Sequence, residues 1–221
     1  MTCISRAISS LRINNIPNLN LKTALIWFPF VALAVVLSKC FIDDWIALRV
    51  MEMSRASFYL HTGTSEIPDL LTVDVSVVCG FFWGRYIILR RQGIANEQTQ
   101  SCRVAGTAVP LAFFLKWPLK IVFGRLNPRI WLASHVSDQF HWFKSGKPYD
   151  SFPSGHMLVF AALFTALWLF YPRYRSISAG LALILAASLV VTDYHFVSDV
   201  IAGAYLGLFT TVLTAFCFEI I

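Results

Sequence analysis

Six apolar runs, at roughly 23–41, 72–89, 103–124, 156–171, 177–194 and 196–218, constrain this chain more than any other feature. Each comes near the ~20 residues that one helical crossing of a bilayer needs, the last three being shorter or closely joined. A soluble domain of this length would carry far more charge than the 14% found here beside 57% hydrophobic residues. The expected fold class is therefore all-α: a polytopic membrane protein, a six-transmembrane-helix bundle. No Gly-rich linker or internal repeat divides the runs, so residues 1–221 are expected to form a single membrane-embedded domain.

Charge between the runs sets the expected orientation. Arg6, Arg12 and Lys22 precede the first run; Arg90, Arg91 and Arg103 lie between the second and third; Arg173 and Arg175 lie between the fourth and fifth. The 42–71 connection instead holds Asp43, Asp44, Glu52, Glu66 and Asp69 against Arg49 and Arg55. The positive-inside rule then places both termini, including the segment 1–22, in the cytoplasm. The 125–155 connection faces outward in this topology, although it carries Arg125, Arg129, Lys144 and Lys147. The first run is long enough to span and no A-x-A-like site follows it, so it reads as an uncleaved helix rather than a signal peptide. The segment DDWIALRVMEMSRASFYLH, 43–61, reads as a short interfacial helix between the first two spans with Trp45 and Tyr59 as anchors, or as an ordinary solvated loop helix.

The net charge of +6 is spread over the ends of apolar runs rather than gathered in one patch. Nucleic acid is thereby excluded as a partner, and the bilayer itself is the expected surroundings. Cys3, Cys40, Cys79, Cys102 and Cys217 show no CxxC spacing, so neither a disulfide framework nor a zinc site is expected.

Ionisable residues at a membrane edge are costly, and three groups of them fall at the same expected outer edge. In KIVFGRLNPR, Lys120 stands near the end of the third run with Lys116 one turn earlier and Arg125 just beyond Gly124. Snorkelling cations at a helix end account for that segment equally well. In SFPSGH, Pro153 suits a helix entry, and the amides of Ser154 and Gly155 are placed to bind a phosphate-like anion at the helix N-terminus. His156 stands beside them as a proton donor; a capped helix with a spare histidine is the alternative. In DYHFVSDV, His195 and Asp199 are four apart and share a helical face. Asp199 can fix the imidazole tautomer and leave the other nitrogen as a nucleophile.

Cations, helix amides and two histidines, one of them acid-paired, are the parts for phosphoryl transfer through a covalent phosphohistidine. His195 would attack phosphorus and His156 would protonate the departing oxygen. His135 and His141 lie in a loop without metal-ligand spacing and no Walker-type glycine loop occurs, so no metal and no other cofactor is expected.

Order and spacing resemble the membrane-embedded type-2 phosphatidic acid phosphatase family of the phosphatase/vanadium haloperoxidase superfamily. Its three motifs are K-x6-R-P, P-S-G-H and S-R-x5-H-x3-D. Lys120 and Pro128 keep the first separation, PSGH is complete at 153–156, and Ser188, His195 and Asp199 keep the third. The resemblance covers roughly 72–218, with the motif-bearing region at 116–199. It implies His195 as nucleophile, Asp199 as its orienting partner, His156 as general acid, and Lys120 with the Ser154–Gly155 amides as phosphate ligands.

Two positions depart from the pattern: Asn127 and Leu189 stand where the motifs have arginine. Arg125 is the expected substitute at the phosphate, with Arg129 and Lys116 behind it; Leu189 has no evident replacement. The leading expectation is a metal-independent membrane lipid phosphatase, multi-pass in a bacterial inner membrane, with its site toward the periplasm. Its substrate would be a polyprenyl diphosphate such as undecaprenyl diphosphate, a phosphorylated glycerolipid such as phosphatidylglycerophosphate, or a lipid A-type glycolipid. Competing readings are a lipid phosphotransferase with the same intermediate, a non-catalytic lipid-phosphate-binding protein, and an intramembrane serine protease using Ser154 and His195. The sequence does not specify an oligomeric state.

Overall fold

Asn20 opens the first helix: its side-chain oxygen accepts from the Thr23 amide at 2.9 Å, and residues 24–37 are then apolar without a break. The computed structural model describes residues 19–55, 67–134, 139–144, 146–218 and 220. In chain order the helices are α1 (Leu21–Phe41), α2 (Asp43–Arg55), α3 (Ile67–Arg91), α4 (Glu97–Phe123), α5 (Pro128–Ser134), α6 (Gly155–Phe170), α7 (Arg175–Val191) and α8 (Val197–Cys217). A short 3-10 turn, Pro172–Tyr174, joins α6 to α7. Among the described residues five helical stretches are long and apolar enough to cross a membrane, and α6 is a shorter apolar helix. All six expected runs are thus helical, in an all-α, multi-pass membrane fold.

Boundaries differ where capping residues, not apolar runs, decide them. The third run was expected to begin at 103, but α4 starts at Glu97, because Asn96 caps it by accepting from the Thr99 amide at 3.2 Å. It ends at Gly124, whose φ of +50° is left-handed, and a Cβ there would lie 2.0 Å from the His141 carbonyl oxygen. Only glycine fits that stop. α2 occupies the first part of the segment read as interfacial, with Trp45 exposed; Tyr59, the other expected anchor, lies outside the described residues.

The short helix α6 is the centre of the bundle. It packs on α8, α4 and α7, and both faces are buried, from His156 and Met157 to Leu169 and Phe170. α8 approaches it through Gly203 and Gly207, where an added Cβ would lie 2.7 Å from the Ser154 carbonyl oxygen and 2.3 Å from that of Leu158. Thr211 then donates to the Ala162 carbonyl at 2.9 Å. Small residues and side-chain hydrogen bonds bind helices where the hydrophobic effect cannot discriminate between a helix and lipid. Similarly, Tyr205 of α8 donates to the Ala24 carbonyl of α1 at 2.7 Å.

Pro110 inside α4 lacks an amide proton, which frees the carbonyl of Gly106 four residues earlier. Trp83 of α3 meets that oxygen with its indole N–H at 3.0 Å. A proline that would leave a polar group bare in hydrocarbon is thereby turned into an α3–α4 tie.

At one end of the bundle converge the end of α4, the starts of α2, α6 and α8, and the α7–α8 turn. The described parts of the 125–154 connection lie at this end, tied down by Leu126 N to Gln139 O at 2.8 Å and Ser151 N to Arg125 O at 3.0 Å.

Candidate active site

A cavity of about 670 Å³ opens at this end. Lys116 and Lys120 of α4, Asn127, Asp150, Gly155 and His156 at the start of α6, and Tyr194 and His195 in the α7–α8 turn all line it. The two histidines named from sequence therefore share one chamber. Tyr194 stands between them, its ring centroid 5.7 Å from that of His156 and 5.3 Å from that of His195.

His195 is 4% exposed. Its Nδ1 lies 3.6 Å from Asp199 Oδ2 and 3.4 Å from Ser151 Oγ, while Ser151 donates its hydroxyl proton to the same Asp199 oxygen at 2.6 Å. The direct approach to Asp199 is too long for a firm hydrogen bond. Ser151, its own proton spent on the carboxylate, offers Nδ1 only an acceptor. Both neighbours of Nδ1 are then acceptors, so the proton sits on Nδ1 and the lone pair is on Nε2. Burial pushes the imidazole below its ordinary pKa, against the opposing influence of Asp199, and keeps it neutral near pH 7.

Asp199 is fully used. Oδ1 accepts from Arg125 Nη1 at 2.5 Å, and Oδ2 also accepts from the Phe196 amide at 3.0 Å. That last contact is one half of a capping box for α8. Phe196 has no side-chain acceptor for the other half. Asp43 supplies one from α2, accepting from the Ser198 amide at 3.0 Å.

Arg125 corrects an expectation. It was expected to hold the substrate phosphate, but it is 0% exposed and is not among the residues lining the cavity. Its Nη2 donates to Asp43 at 2.7 Å and Gln139 at 2.6 Å, and its Nη1 donates to Ser198 Oγ at 2.6 Å besides Asp199. The guanidinium lies between the rings of Phe196 and Phe140, 4.1 and 4.9 Å from their centroids. It is a buried strut behind the His195–Asp199 pair. A cation paired with two carboxylates in a dry interior is not available to a ligand.

Ser154 is the second correction. Its amide, expected on the phosphate, donates to the Asp199 carbonyl at 3.1 Å, and its hydroxyl oxygen caps α6 by accepting from the Met157 amide at 3.3 Å. That capping role and full burial also remove it as a protease nucleophile. The amides of Gly155 and His156 come next in the first turn of α6, before any intrahelical acceptor is in reach.

Lys120 and Gly155 line the chamber beside the start of α6. Lys120 Nζ lies 3.9 Å from Asp150. A Cβ on Gly155 would meet Lys116 Cδ at 3.2 Å and Lys120 Nζ at 3.9 Å, so both lysines drape over the α6 N-terminus.

Asn127 lines the cavity and donates to the Tyr194 carbonyl at 3.3 Å. Arg129 grips the same turn through the Thr192 carbonyl, at 2.7 Å from Nη2. Leu189 instead packs with Met157, Ala161 and Val200 in an apolar cluster. In the same turn Asp193, at φ +50°, is buried. Desolvation pushes its carboxyl up to about 6, with the Arg129 guanidinium pulling the other way.

Sequence reasoning missed Ser151, Asp43, Gln139 and Tyr194. Ser151 and Tyr194 stand within the two quoted motif segments. No spacing rule links Asp43 or Gln139 to the site.

A helical membrane bundle with two histidines, two lysines and a helix N-terminus around one chamber is a phosphoryl-transfer scaffold. The chain belongs to the PAP2 superfamily, which residues 103–220 match. It is 36% identical over a 201-residue alignment, covering 79% of each chain, to a protein of Rhizobium johnstonii named lipid A 1-phosphatase. It is 34% identical over 198 residues, 77% of this chain and 82% of the other, to one of the same name from Rhizobium etli. A solved PAP2-type phosphatidylglycerolphosphate phosphatase from Bacillus subtilis aligns over 90% of this chain and 96% of its own, with TM-score 0.38 and 20% identity. The protein is a multi-pass membrane lipid phosphatase.

Proposed function

We propose that the protein hydrolyses the phosphate of a lipid A-type glycolipid through a phosphohistidine intermediate, at a site open to the periplasmic leaflet of a bacterial inner membrane. The observation that carries the mechanism is the Ser151–Asp199 arrangement behind His195, which leaves Nε2 of a neutral imidazole bearing the lone pair in a chamber shared with His156.

His195 Nε2 forms a bond to phosphorus as the bond from phosphorus to the lipid oxygen breaks, and His156 passes its proton to that oxygen. Water then attacks phosphorus, the nitrogen–phosphorus bond breaks, and His156 recovers a proton from the water. Lys120 and the first-turn amides of α6 hold the equatorial oxygens as their charge grows. Asp199 stabilises the positive charge that develops on His195.

Support for an amphiphilic substrate comes from the chamber wall. Trp117 and Ile121 of α4 line the cavity, yet they are 56% and 43% exposed on the bundle exterior. Acyl chains in the bilayer can lie against them while the headgroup reaches the lysines. The lipid A-type headgroup is favoured by the names and identities of the two rhizobial relatives. The periplasmic face is favoured by Arg90, Arg91, Arg173 and Arg175 at the opposite helix ends.

The test is phosphate release by purified protein from lipid A, undecaprenyl diphosphate and phosphatidylglycerophosphate, with EDTA present. Lipid A is expected to be hydrolysed fastest, to leave an acid-labile phosphohistidine on quenching, and to be untouched by His195→Ala. Undiminished hydrolysis by His195→Ala would overturn the mechanism, and preference for another lipid would overturn the substrate.

A further inference from the structure

The fixed charge in the chamber is larger than the proposed chemistry has so far used. Lys120 is partly offset by Asp150, 3.9 Å away. Asn127, on the chamber wall, carries no charge, and Arg125 is committed elsewhere. A phosphate monoester carries about −1.5 to −2 near pH 7, more than one half-neutralised lysine balances.

Lys116 lies one turn before Lys120 and lines the same chamber. The residue is 9% exposed. Its ammonium faces the ring of Phe113 at 3.8 Å and that of Trp117 at 5.2 Å, and no ion pair holds it among the described residues. Asp150 acts on it only from beyond ion-pair distance, and a buried lysine ammonium so weakly compensated is costly. Two lysines spaced i, i+4 over one helix N-terminus also repel each other. An anion between them and the α6 amides would remove both penalties at once, and both lysines stand close enough to that helix start to share one, since a Cβ on Gly155 would lie 3.2 Å from Lys116 Cδ and 3.9 Å from Lys120 Nζ.

We infer that Lys116 is a second phosphate-binding residue, closing with Lys120 and the first turn of α6 around the substrate phosphate. The inference rests on the phosphatase reading for its ligand. Lipid phosphate and free phosphate share the chemistry, so both are probed.

The experiment compares wild type, Lys116→Met and Lys116→Arg in two assays: the rise in thermal midpoint with inorganic phosphate, and turnover of lipid A. Lys116→Met preserves the stem length and suits the apolar walls, so it is expected to fold; Lys116→Gln serves if it does not. Expected are a loss of about tenfold or more in phosphate affinity and in kcat/KM for Lys116→Met, largely restored by Lys116→Arg. A lysine needed only to stack on Phe113 would move the midpoint without phosphate and leave the phosphate-induced rise intact. Unchanged phosphate affinity in Lys116→Met overturns the inference, as does a wild type that phosphate does not stabilise. Lys116-dependent phosphate binding by a wild type that hydrolyses no lipid would support the inference while the phosphatase mechanism fails.

Discussion

Asp43 and Ser198 are 155 positions apart in the chain, yet Asp43 Oδ1 accepts from the Ser198 amide at 3.0 Å and its Oδ2 takes the Ser198 hydroxyl proton. One carboxylate at the start of α2 thus caps α8 and also pairs with Arg125. The helix that carries Asp199 in its first turn is held by a residue outside the matched family region.

Arg125 therefore belongs to stability before catalysis. Arg125→Ala strands the carboxylates of Asp43 and Asp199 in a dry interior and is expected to cost about 3–5 kcal/mol. Arg125→Lys is expected to rescue little, because one ammonium cannot reproduce a fork that reaches four oxygens. Thermal unfolding in detergent reads both. A wild-type midpoint for Arg125→Ala would refute the strut.

Ser151→Ala removes the hydroxyl that orients His195 Nδ1. The expected result is a fall in kcat of about tenfold, a barrier increase of about 1.4 kcal/mol, with KM little changed. Steady-state kinetics decide it, and unaltered kcat would leave Asp199 alone as the orienting group.

In the proposed mechanism the acid limb of activity follows from His195, which must be neutral to attack. Its folded pKa lies below the ordinary 6.5, so kcat/KM is expected to hold through pH 6.5 and to decline only in more acid solution. Below 6.5 the unfolded chain binds this proton first, so the same group lowers stability as pH falls. A limb centred above 6.5 would contradict the burial argument.

Asp193 has the opposite sign. Its carboxyl is raised from 3.8 to about 6, so the folded protein keeps a proton the unfolded chain has released. That stability is present below 3.8 and lost as pH rises through about 6. Asp193→Asn, which tolerates the left-handed backbone, is expected to raise the thermal midpoint well above pH 6 and to change nothing below about 4. Equal midpoints at alkaline pH would count against it.

Gly207→Ala puts a methyl group 2.3 Å from the Leu158 carbonyl oxygen. Forcing α6 and α8 apart is expected to cost about 1–3 kcal/mol, visible as a lowered midpoint and reduced accumulation in the membrane. Gly180→Ala, where an added Cβ meets nothing within 4 Å, is the control.

Much of this protein was readable along the chain. Apolar length marked the six membrane helices, though not their ends, because hydrocarbon offers backbone groups no other partner. Local spacing singled out His156, His195, Lys120 and Gly155, which line one chamber, and Asp199 behind His195, since each motif lies within one turn or helix end whose geometry the backbone determines. Sequence reasoning missed the G-x-x-x-G at Gly203 and Gly207, whose neighbour only the fold reveals.

Arg125 and Ser154 were misassigned because charge and sequence position do not reveal which way a group faces. Arg125 lies five residues from Lys120, but the left-handed turn at Gly124 separates them, sending one into the chamber wall and the other behind it. Sequence determined which groups could bind phosphate, because residue chemistry and helical periodicity are local. Tertiary structure decided which of them do other work, because pairing a buried charge depends on carboxylates that arrive from distant parts of the chain.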